Sequence, residues 1–441
     1  MVERNVLDDG ETRIGHVFDG RPETPEALGQ LGRRGDAVTL SVFWESPLSA
    51  PARWFMHGIQ IQDDPGRTKF DYTVPRLLSF RDERGSVNLI GCRAVGMNGQ
   101  LGGPGRGRVT ARYVVMERVP TEATYETIQG LRTTVSGLRE WLGVESIRTA
   151  EKTRDAAGRM ETIAFKLDSP ATMVVPGVDG LTLVPRWTTA QPDPDVVEMR
   201  EHLHVETWHD EARPWSVHLS VHRGLRDLLA VSRWRREELT RASARADSDR
   251  TAEDRTWSPT LIEGVLNDAP SPTRQGHLVQ FADVGVDGVR DWLRLREDYQ
   301  RAVDPLISCL YNADAAIESK VSQAGIGLEA LGFLLAHKID GKSEKQADKL
   351  NYVQRFERIA KPMADVLPFA PDVWATEFAG AYNSVKHANR ALPDSVHLAN
   401  RWREAVLVFR AWVALELGVD RNLLRDRISI DPMAGEYVPI D

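Results

Sequence analysis

The chain has 441 residues, of which 41% are hydrophobic and 27% charged, a balance that supplies a core and excludes a largely disordered protein. This length predicts two or three domains. The net charge of −8 excludes a constitutive polyanion binder, so any contact with nucleic acid needs a local basic surface.

The two cysteines, Cys92 and Cys309, are too few for a disulfide framework or a cysteine-based zinc site. The first residues contain no apolar stretch typical of a signal peptide, and no run of about 18 apolar residues occurs. We therefore expect a cytoplasmic protein that makes no contact with a membrane.

The first third of the chain is typical of strands, because β-branched and aromatic residues partly alternate with polar ones. The predicted strands are Ala37–Trp44, Trp54–Gln62, Val87–Cys92 and Arg108–Glu117. Between the last two, the glycine-rich segment Gly96–Gly107 predicts a hairpin loop.

Mixed elements follow. Thr127–Gly143 predicts a short helix and turn anchored by Trp141, and Val217–Trp234 has the apolar spacing of a helix. The polar segment Arg241–Arg255 predicts a loop. Further predicted strands are Glu161–Leu167, Leu181–Arg186 and Val197–Trp208.

From Val289 onward apolar residues recur at helical spacing, and prolines separate the segments. The predicted helices are Asp291–Ser322, Gly325–His337, Lys345–Lys361, Pro371–Ala391 and Ser395–Gly418. The sequence thus predicts an α+β multidomain protein, with a β-rich region at 1–288, an all-α bundle at 289–420 and a polar tail at 421–441.

One predicted helix carries an unusual density of polar side chains. Asn383, His387 and Arg390 follow at i, i+4 and i+7 and form one stripe, with Tyr382 and Lys386 on a second stripe beside it. Arginine and lysine can neutralise phosphoryl oxygens, and histidine can transfer a proton near neutral pH. The alternative is a solvated helix face with a hydrogen-bonded histidine.

Glu329 lies in an apolar segment of a predicted helix. A carboxylate in a largely buried helix needs a partner, and Lys386 or Arg390 would be a natural one. The alternative is that Glu329 faces solvent at the edge of the helix.

A group of histidines could bind zinc, because pairs of them would share a face of a strand or a helix. No H-E-x-x-H pattern supports such a site, and ordinary strand and helix histidines are the alternative. The group consists of His202, His204, His209, His218 and His222.

The helical half resembles the HEPN superfamily, helical-bundle proteins many of which are metal-independent ribonucleases. The HEPN motif is an arginine, often followed by asparagine, and a histidine a few residues later. Asn383 and His387 match this motif, whereas Tyr382 stands where the family has arginine.

Three further segments resemble ApeA-type anti-phage defence proteins, and together the resemblance spans roughly residues 14 to 418. Ser136–Leu142 (SGLREWL) is similar to a signature of the ApeA N-terminal domain. Val289–Tyr299 resembles the junction to the HEPN helices, and Gly327–Leu331, with Glu329, resembles the family's alE helix.

The resemblance implies an abortive-infection effector that works without a cofactor or metal. The N-terminal region would sense a phage component or restrain the effector, and the HEPN domain would dimerise and cut RNA. In that reaction a 2′-hydroxyl attacks the adjacent phosphate, His387 is the base or acid, and Lys386 and Arg390 supply positive charge.

Two other functions remain open. The HEPN fold can be a catalytically degenerate scaffold for RNA binding or dimerisation, combined with a ligand-recognising N-terminal domain. The chain can also be a carbohydrate- or ligand-recognising β-protein with a helical oligomerisation domain. An exposed His387 in a cationic groove across a two-fold axis favours the ribonuclease, whereas a buried His387 favours the scaffold.

Overall fold

The computed structural model of the chain describes residues 5–22, 24–59, 62–99, 103–117, 124–178, 180–246, 257–266 and 276–438. Within these ranges the protein is a mixed α+β structure, with a large antiparallel sheet in the N-terminal half and helices in the C-terminal half. The predicted fold class is therefore confirmed. No helix in the described ranges is long and apolar enough to cross a membrane.

The first part of the sheet contains eight strands and one short helix. In β1, β2 and β3 every second side chain is buried, which places one face of the sheet on a core. The elements are β1 (Thr12–Phe18), β2 (Ala27–Arg34), β3 (Ala37–Trp44), α1 (Ala50–Arg53), β4 (Leu77–Asp82), β5 (Gly85–Ile90), β6 (Arg93–Gly99), β7 (Gly105–Thr110) and β8 (Tyr113–Met116).

The second part extends the same sheet and adds a long helix. Strands β10 and β11 form a separate two-stranded ribbon. The elements are β9 (Thr127–Val135), α2 (Leu138–Leu142), β10 (Ile147–Arg154), β11 (Met160–Leu167), β12 (Met173–Val174), β13 (Thr182–Asp193), β14 (Val196–Pro214), α3 (Trp215–Arg233), β15 (Leu239–Arg245) and β16 (Ser258–Ile262).

Strand β16 joins the two parts of the sheet, because it pairs with β15 on one side and with β8 on the other. In the described ranges fourteen strands follow the order β12-β13-β14-β9-β15-β16-β8-β5-β4-β1-β2-β3-β7-β6. The first part packs around its own core, whereas the second part shares a core with the C-terminal helices.

The C-terminal half consists of helices that pack around the apolar faces of α6, α9 and α10. A single π-helical turn, Leu335–Ile339, continues α6. The helices are α4 (Phe281–Asp298), α5 (Gln300–Tyr311), α6 (Ile317–Leu334), α7 (Glu344–Asp348), α8 (Tyr352–Ala360), α9 (Pro371–Lys386), α10 (Ser395–Glu416) and α11 (Arg421–Ser429).

Helix α3 connects the two halves. The indole of Trp292 on α4 donates a hydrogen bond of 2.7 Å to the carbonyl of Gly224 on α3. The guanidinium of Arg410 on α10 donates to the carbonyls of Val231 and Ser232 at 2.8 and 2.9 Å. These hydrogen bonds attach α3 to the C-terminal helices, and the apolar core includes side chains from both.

Two predictions in the first part of the sheet are wrong. The described part of Trp54–Gln62 is a turn rather than a strand, and Gly96–Gly107 contributes residues to β6 and β7. A Cβ on Gly105 would lie 2.8 Å from the indole of Trp44, and one on Gly107 would lie 2.1 Å from the ring of Phe55. Glycine therefore allows these two rings to pack on the strand.

Long-range pairing overrides the local pattern in two further segments. Most of Thr127–Gly143 is strand β9, which lies between β14 and β15, and only Leu138–Leu142 is helical. The predicted loop Arg241–Arg255 begins as strand β15, and its residues 247–255 lie outside the described residues. The predicted strand Arg108–Glu117 is divided, because β7 ends at Thr110 and β8 begins at Tyr113, and the two pair with different strands. The remaining predicted strands and the helix at Val217–Trp234 are confirmed.

Turns divide two of the predicted helices. Asp291–Ser322 contains parts of α4, α5 and α6, and Lys345–Lys361 contains parts of α7 and α8. The division before α8 has a local cause, because the Asn351 side chain accepts a hydrogen bond from the backbone N–H of Gln354 and caps a new helix. In the segment after residue 420, Leu424 and Ile428 are buried on α11.

Candidate active site

The predicted site residues lie on α9 and on the turn that follows it. Helix α9 begins at Pro371 and ends at Lys386, and His387 has extended backbone angles, φ −122° and ψ 109°. Residues 387–392 are all exposed, so no packing supports another helical turn, and Pro393 disfavours helix at the residue before it. The predicted helical stripe is therefore wrong at Arg390, which lies in the turn.

Tyr382 is buried, with only 1% of its surface exposed. Its hydroxyl donates a hydrogen bond of 3.1 Å to Oε2 of Glu329. Burial, together with the negative charge of Glu329, raises the pKa of Tyr382 to about 12. The position where the HEPN motif has arginine is therefore occupied by a neutral phenol.

Glu329 forms an ion pair with Arg355 of α8, and the distance from Nη1 to Oε1 is 3.0 Å. The expectation that Lys386 or Arg390 pairs with Glu329 is wrong. The second terminal nitrogen of Arg355 donates to the carbonyl oxygen of Asp348 at 2.9 Å, which fixes the guanidinium. Glu329 is partly buried, so this pairing supplies the partner that its position requires.

Sequence reasoning missed Arg355, although a signal was present. Arg355 interrupts the apolar face of an amphipathic helix, directly before Phe356 and four residues before Ile359. A buried arginine on such a face needs an acidic partner. Glu329 was the acidic residue in a comparable position on another helix.

Lys386 lies beside two aromatic rings. Its ammonium donates a hydrogen bond of 2.9 Å to the hydroxyl of Tyr352. The same nitrogen lies 5.2 Å from the ring centroids of both Tyr352 and Tyr382. The hydrogen bond to Tyr352 raises the pKa of Lys386, so this side chain is cationic at neutral pH.

We name Glu329, Tyr352, Arg355, Tyr382 and Lys386 the Tyr382 cluster. His387 follows this cluster directly and is exposed to solvent. Within the described residues its imidazole forms no hydrogen bond or ion pair, and the same is true of the Arg390 guanidinium. Both ring nitrogens are therefore accessible to a ligand, and the cationic side chains of Lys386 and Arg390 lie on the same short segment.

The remaining histidine candidates do not form a metal centre. In the described ranges no group of three His, Cys, Asp or Glu side chains is arranged to hold a metal ion. His218 and His222 are completely buried, and Thr207 lies between them, 2.8 Å from Nδ1 of His218 and 3.0 Å from Nε2 of His222.

The hydrogen bonds of this pair define its protonation. His218 Nε2 donates to the carbonyl oxygen of Ile128 at 3.0 Å, so its Nδ1 accepts from Thr207. Thr207 then accepts from His222, whose Nδ1 accepts from Thr133 at 2.7 Å. Burial lowers the pKa of His218 to about 4 and that of His222 to about 3, so both are neutral structural residues.

A cavity of about 390 Å³ on the β-rich half lies between the N-terminal segment and strands β15 and β16. Arg33, Arg241 and Asp8 line it together with aliphatic and hydroxyl side chains. Its lining contains no aromatic side chain. This cavity therefore differs from the aromatic-lined pocket that a carbohydrate-recognising β-protein needs.

The protein therefore has a β-rich half and an all-α half that share a core. The all-α half carries the Tyr382 cluster, in which Lys386 is exposed, and the exposed His387 follows directly. The model of ApeA N-terminal domain 1 matches residues 49–294, more than half of the chain. The chain belongs to this family. Membership identifies an ApeA-type protein and suggests a role in anti-phage defence.

The matched segment contains the signature recognised in the sequence. Residues Leu138–Leu142 form α2, and the buried Trp141 donates from its indole to the carbonyl of Val279 at 2.8 Å. This signature thus anchors the sheet to the segment that leads into the helices. No curated protein and no solved structure is significantly similar to the chain.

Proposed function

We propose that the chain is a cytoplasmic abortive-infection effector, in which the all-α half is a HEPN-type, metal-independent endoribonuclease and the β-rich half controls it. The observation that carries this proposal is the imidazole of His387, which is exposed and has no partner among the described residues, directly after the cationic Lys386. Family membership supports the defence role of the whole protein.

The reaction is attack of an RNA 2′-hydroxyl on the adjacent phosphate. His387 removes the proton from the hydroxyl or returns one to the leaving 5′-oxygen, since imidazole exchanges protons near neutral pH. Lys386 and Arg390 stabilise the additional negative charge of the phosphorane. The side chain of Asn383, half-buried at the end of α9, orients the imidazole or a phosphate oxygen.

The active form is a homodimer. One chain contributes a single histidine to this site, whereas transfer of the phosphoryl group needs both a proton acceptor and a proton donor. A contact along α9 brings a second His387 to the opposite side of the phosphate. Light scattering at micromolar concentration should give the mass of a dimer, and a monomer both with and without RNA would contradict this assembly.

Region 1–288 senses the phage component and controls the effector, and region 289–420 cuts RNA. Recognition of a phage component by the β-rich region changes its packing against α4 and releases the helical site. Support for this coupling comes from the common core that includes Trp215 of α3 and Trp292 of α4. In the segment after residue 420, α11 closes the core with Leu424 and Ile428.

A second function is favoured by one observation. Tyr382 replaces the arginine of the HEPN motif and is buried against Glu329. A phenol with a raised pKa cannot neutralise a phosphate, so the site can instead serve a catalytically degenerate scaffold for RNA binding or dimerisation. The ligand-recognising region would then be the β-rich half.

The deciding experiment compares phage plaques on cells that express the wild type or His387→Ala at equal soluble level. We expect His387→Ala to abolish protection and toxicity, because loss of a general acid–base group costs about 10²–10⁴-fold in rate. The exposed histidine of β1 provides a matched control, and His16→Ala should retain toxicity. Full protection by His387→Ala would exclude the ribonuclease mechanism and favour the scaffold.

A further inference from the structure

The charges inside the Tyr382 cluster are unevenly compensated. The carboxylate of Glu329 is engaged twice, by the guanidinium of Arg355 at 3.0 Å and by the hydroxyl of Tyr382 at 3.1 Å. Its negative charge is therefore neutralised within the helical bundle. No carboxylate of the described residues, Glu329 included, forms an ion pair with Lys386.

The ammonium of Lys386 is held in place by neutral groups. An ammonium has three N–H donors, and the hydroxyl of Tyr352 accepts one of them at 2.9 Å. The rings of Tyr352 and Tyr382 meet edge to face at a centroid distance of 5.3 Å, and the ammonium lies 5.2 Å from each ring. Its position is fixed while its positive charge and two of its donors remain available.

The location of this ammonium is determined by helix geometry. Residues 382 and 386 are separated by one helical turn and lie on the same face of α9. The Lys386 side chain folds over the Tyr382 ring, so a cation is present above the position where the HEPN motif has arginine. Arg390 cannot take this place in the same way, because it lies in the exposed turn after the helix and no described side chain fixes it.

We propose that Lys386 is the phosphate-binding cation of this site and that Tyr352 is the residue that positions it. This inference rests on the proposed function and identifies how the cluster binds an RNA phosphate without the motif arginine. Tyr352 touches neither the phosphate nor the reacting atoms. It acts by keeping the ammonium over the Tyr382 ring, next to His387.

The test measures binding of a short, fluorescein-labelled, single-stranded RNA of mixed sequence to the full chain by anisotropy. All proteins carry His387→Ala, so that the RNA stays intact. Lys386→Gln should weaken binding about tenfold, because a charge-assisted hydrogen bond to phosphate is lost. The slope of log K against log salt concentration should fall by about 0.7, the value for one phosphate contact on a single strand.

Tyr352→Phe removes only the hydroxyl and retains the ring. We expect weaker binding with an unchanged salt slope, since the cation is still present but less well positioned. In proteins with His387 intact, the same change should raise KM for RNA cleavage more than it lowers kcat. Lys345→Gln and Tyr437→Phe, changes on exposed residues of the helical half, should match the parent protein.

Two results would overturn the proposal, and they differ from each other. RNA binding by the parent protein that is unaffected by Lys386→Gln and Tyr352→Phe would remove these residues from the site while the proposed function stands. Absence of RNA binding by the parent protein itself would remove the proposed function, and the role of Lys386 with it.

Discussion

At the scale of single residues, Tyr382 shows how one substitution changes the chemistry of a motif. An arginine at this position would be a permanent cation beside Glu329. The phenol instead donates a neutral hydrogen bond of 3.1 Å, and Arg355 of another helix supplies the positive charge that Glu329 requires. The ion pair of Glu329 therefore lies inside the bundle, and the exposed positive charge beside Tyr382 is that of Lys386.

The hydroxyl of Tyr382 should contribute to stability rather than to catalysis. Tyr382→Phe retains the buried ring but removes one donor to the partly buried carboxylate of Glu329. We expect the free energy of unfolding to fall by about 1 kcal/mol, the usual value for one such hydrogen bond. Urea denaturation checks this against Tyr437→Phe, which should be neutral, and an equal loss in both variants would contradict the assigned bond.

The buried pair His218 and His222 should make stability depend on pH. Their folded-state pKa values of about 4 and about 3 lie below the usual value of 6.5, so the unfolded chain binds more protons in this interval. The contribution of this pair to stability is therefore complete above about pH 6.5 and is lost progressively as the pH falls toward the folded-state pKa values of about 4 and about 3. Thermal melts at pH 7 and pH 5 measure the decrease.

A variant of the same pair provides the control. Glutamine at position 222 can donate to Thr207 and accept from Thr133 but cannot titrate, so His222→Gln should show a shallower decrease between pH 7 and pH 5. Identical pH profiles for the two proteins would show that the loss of stability has another origin.

At the scale of elements, the contact between α6 and α9 determines where the cluster lies. Gly325 of α6 lies directly against the Tyr382 ring, and a Cβ at this glycine would be 2.2 Å from Cδ2 of the tyrosine. The close approach brings Glu329, one turn further along α6, within reach of the Tyr382 hydroxyl. The end of α9 then presents Lys386 and His387 to solvent.

Two glycine substitutions should change stability in opposite directions. Alanine is favoured over glycine inside helices by up to about 1 kcal/mol, and Gly380→Ala on α9 should gain part of this because nothing lies within 4 Å of its Cβ. Gly325→Ala should destabilise by about 1–3 kcal/mol through overpacking. Chemical denaturation compares the two, and a stabilised Gly325→Ala would contradict the close contact.

At the scale of the whole molecule, a buried arginine connects the two halves. Arg410 is 1% exposed, and besides the two carbonyls of α3 it pairs with Asp431 at 2.9 Å. Apolar residues of the second part of the sheet, α3 and the C-terminal helices form one continuous core. A change in the packing of α3 would therefore alter the core that α3 shares with the helical bundle.

Loss of this arginine should affect both halves together. Arg410→Met leaves Asp431 buried without its partner, which should cost about 3–5 kcal/mol. Unfolding followed by tryptophan fluorescence and by far-ultraviolet circular dichroism should shift equally, whereas the exposed Arg425→Met should leave both transitions unchanged. Two separate transitions in the wild type would show that the halves unfold independently.

The fold class was predictable because hydrophobic periodicity changes along the chain. Strand alternation in Ala37–Trp44 and helical spacing in Val217–Trp234 are local properties, and both predictions are confirmed. The strand β9 and the glycine-containing start of β7 were not predictable, since distant partners and the rings of Trp44 and Phe55 determine them. The end of α9 was not predictable either, because it depends on where packing against the bundle stops, and residues 387–392 are all exposed.

The sequence by itself determined which polar side chains α9 and its turn carry: Tyr382, Asn383, Lys386, His387 and Arg390 are consecutive or nearly so. Only the tertiary structure decided which of them are paired, because Arg355 and Tyr352 come from another helix. Short sequence separation fixes neighbours on one helix through its period, whereas contacts between helices depend on packing of the whole bundle. For that reason the residue matching the motif arginine is buried, while the ammonium of Lys386 lies exposed one turn further along.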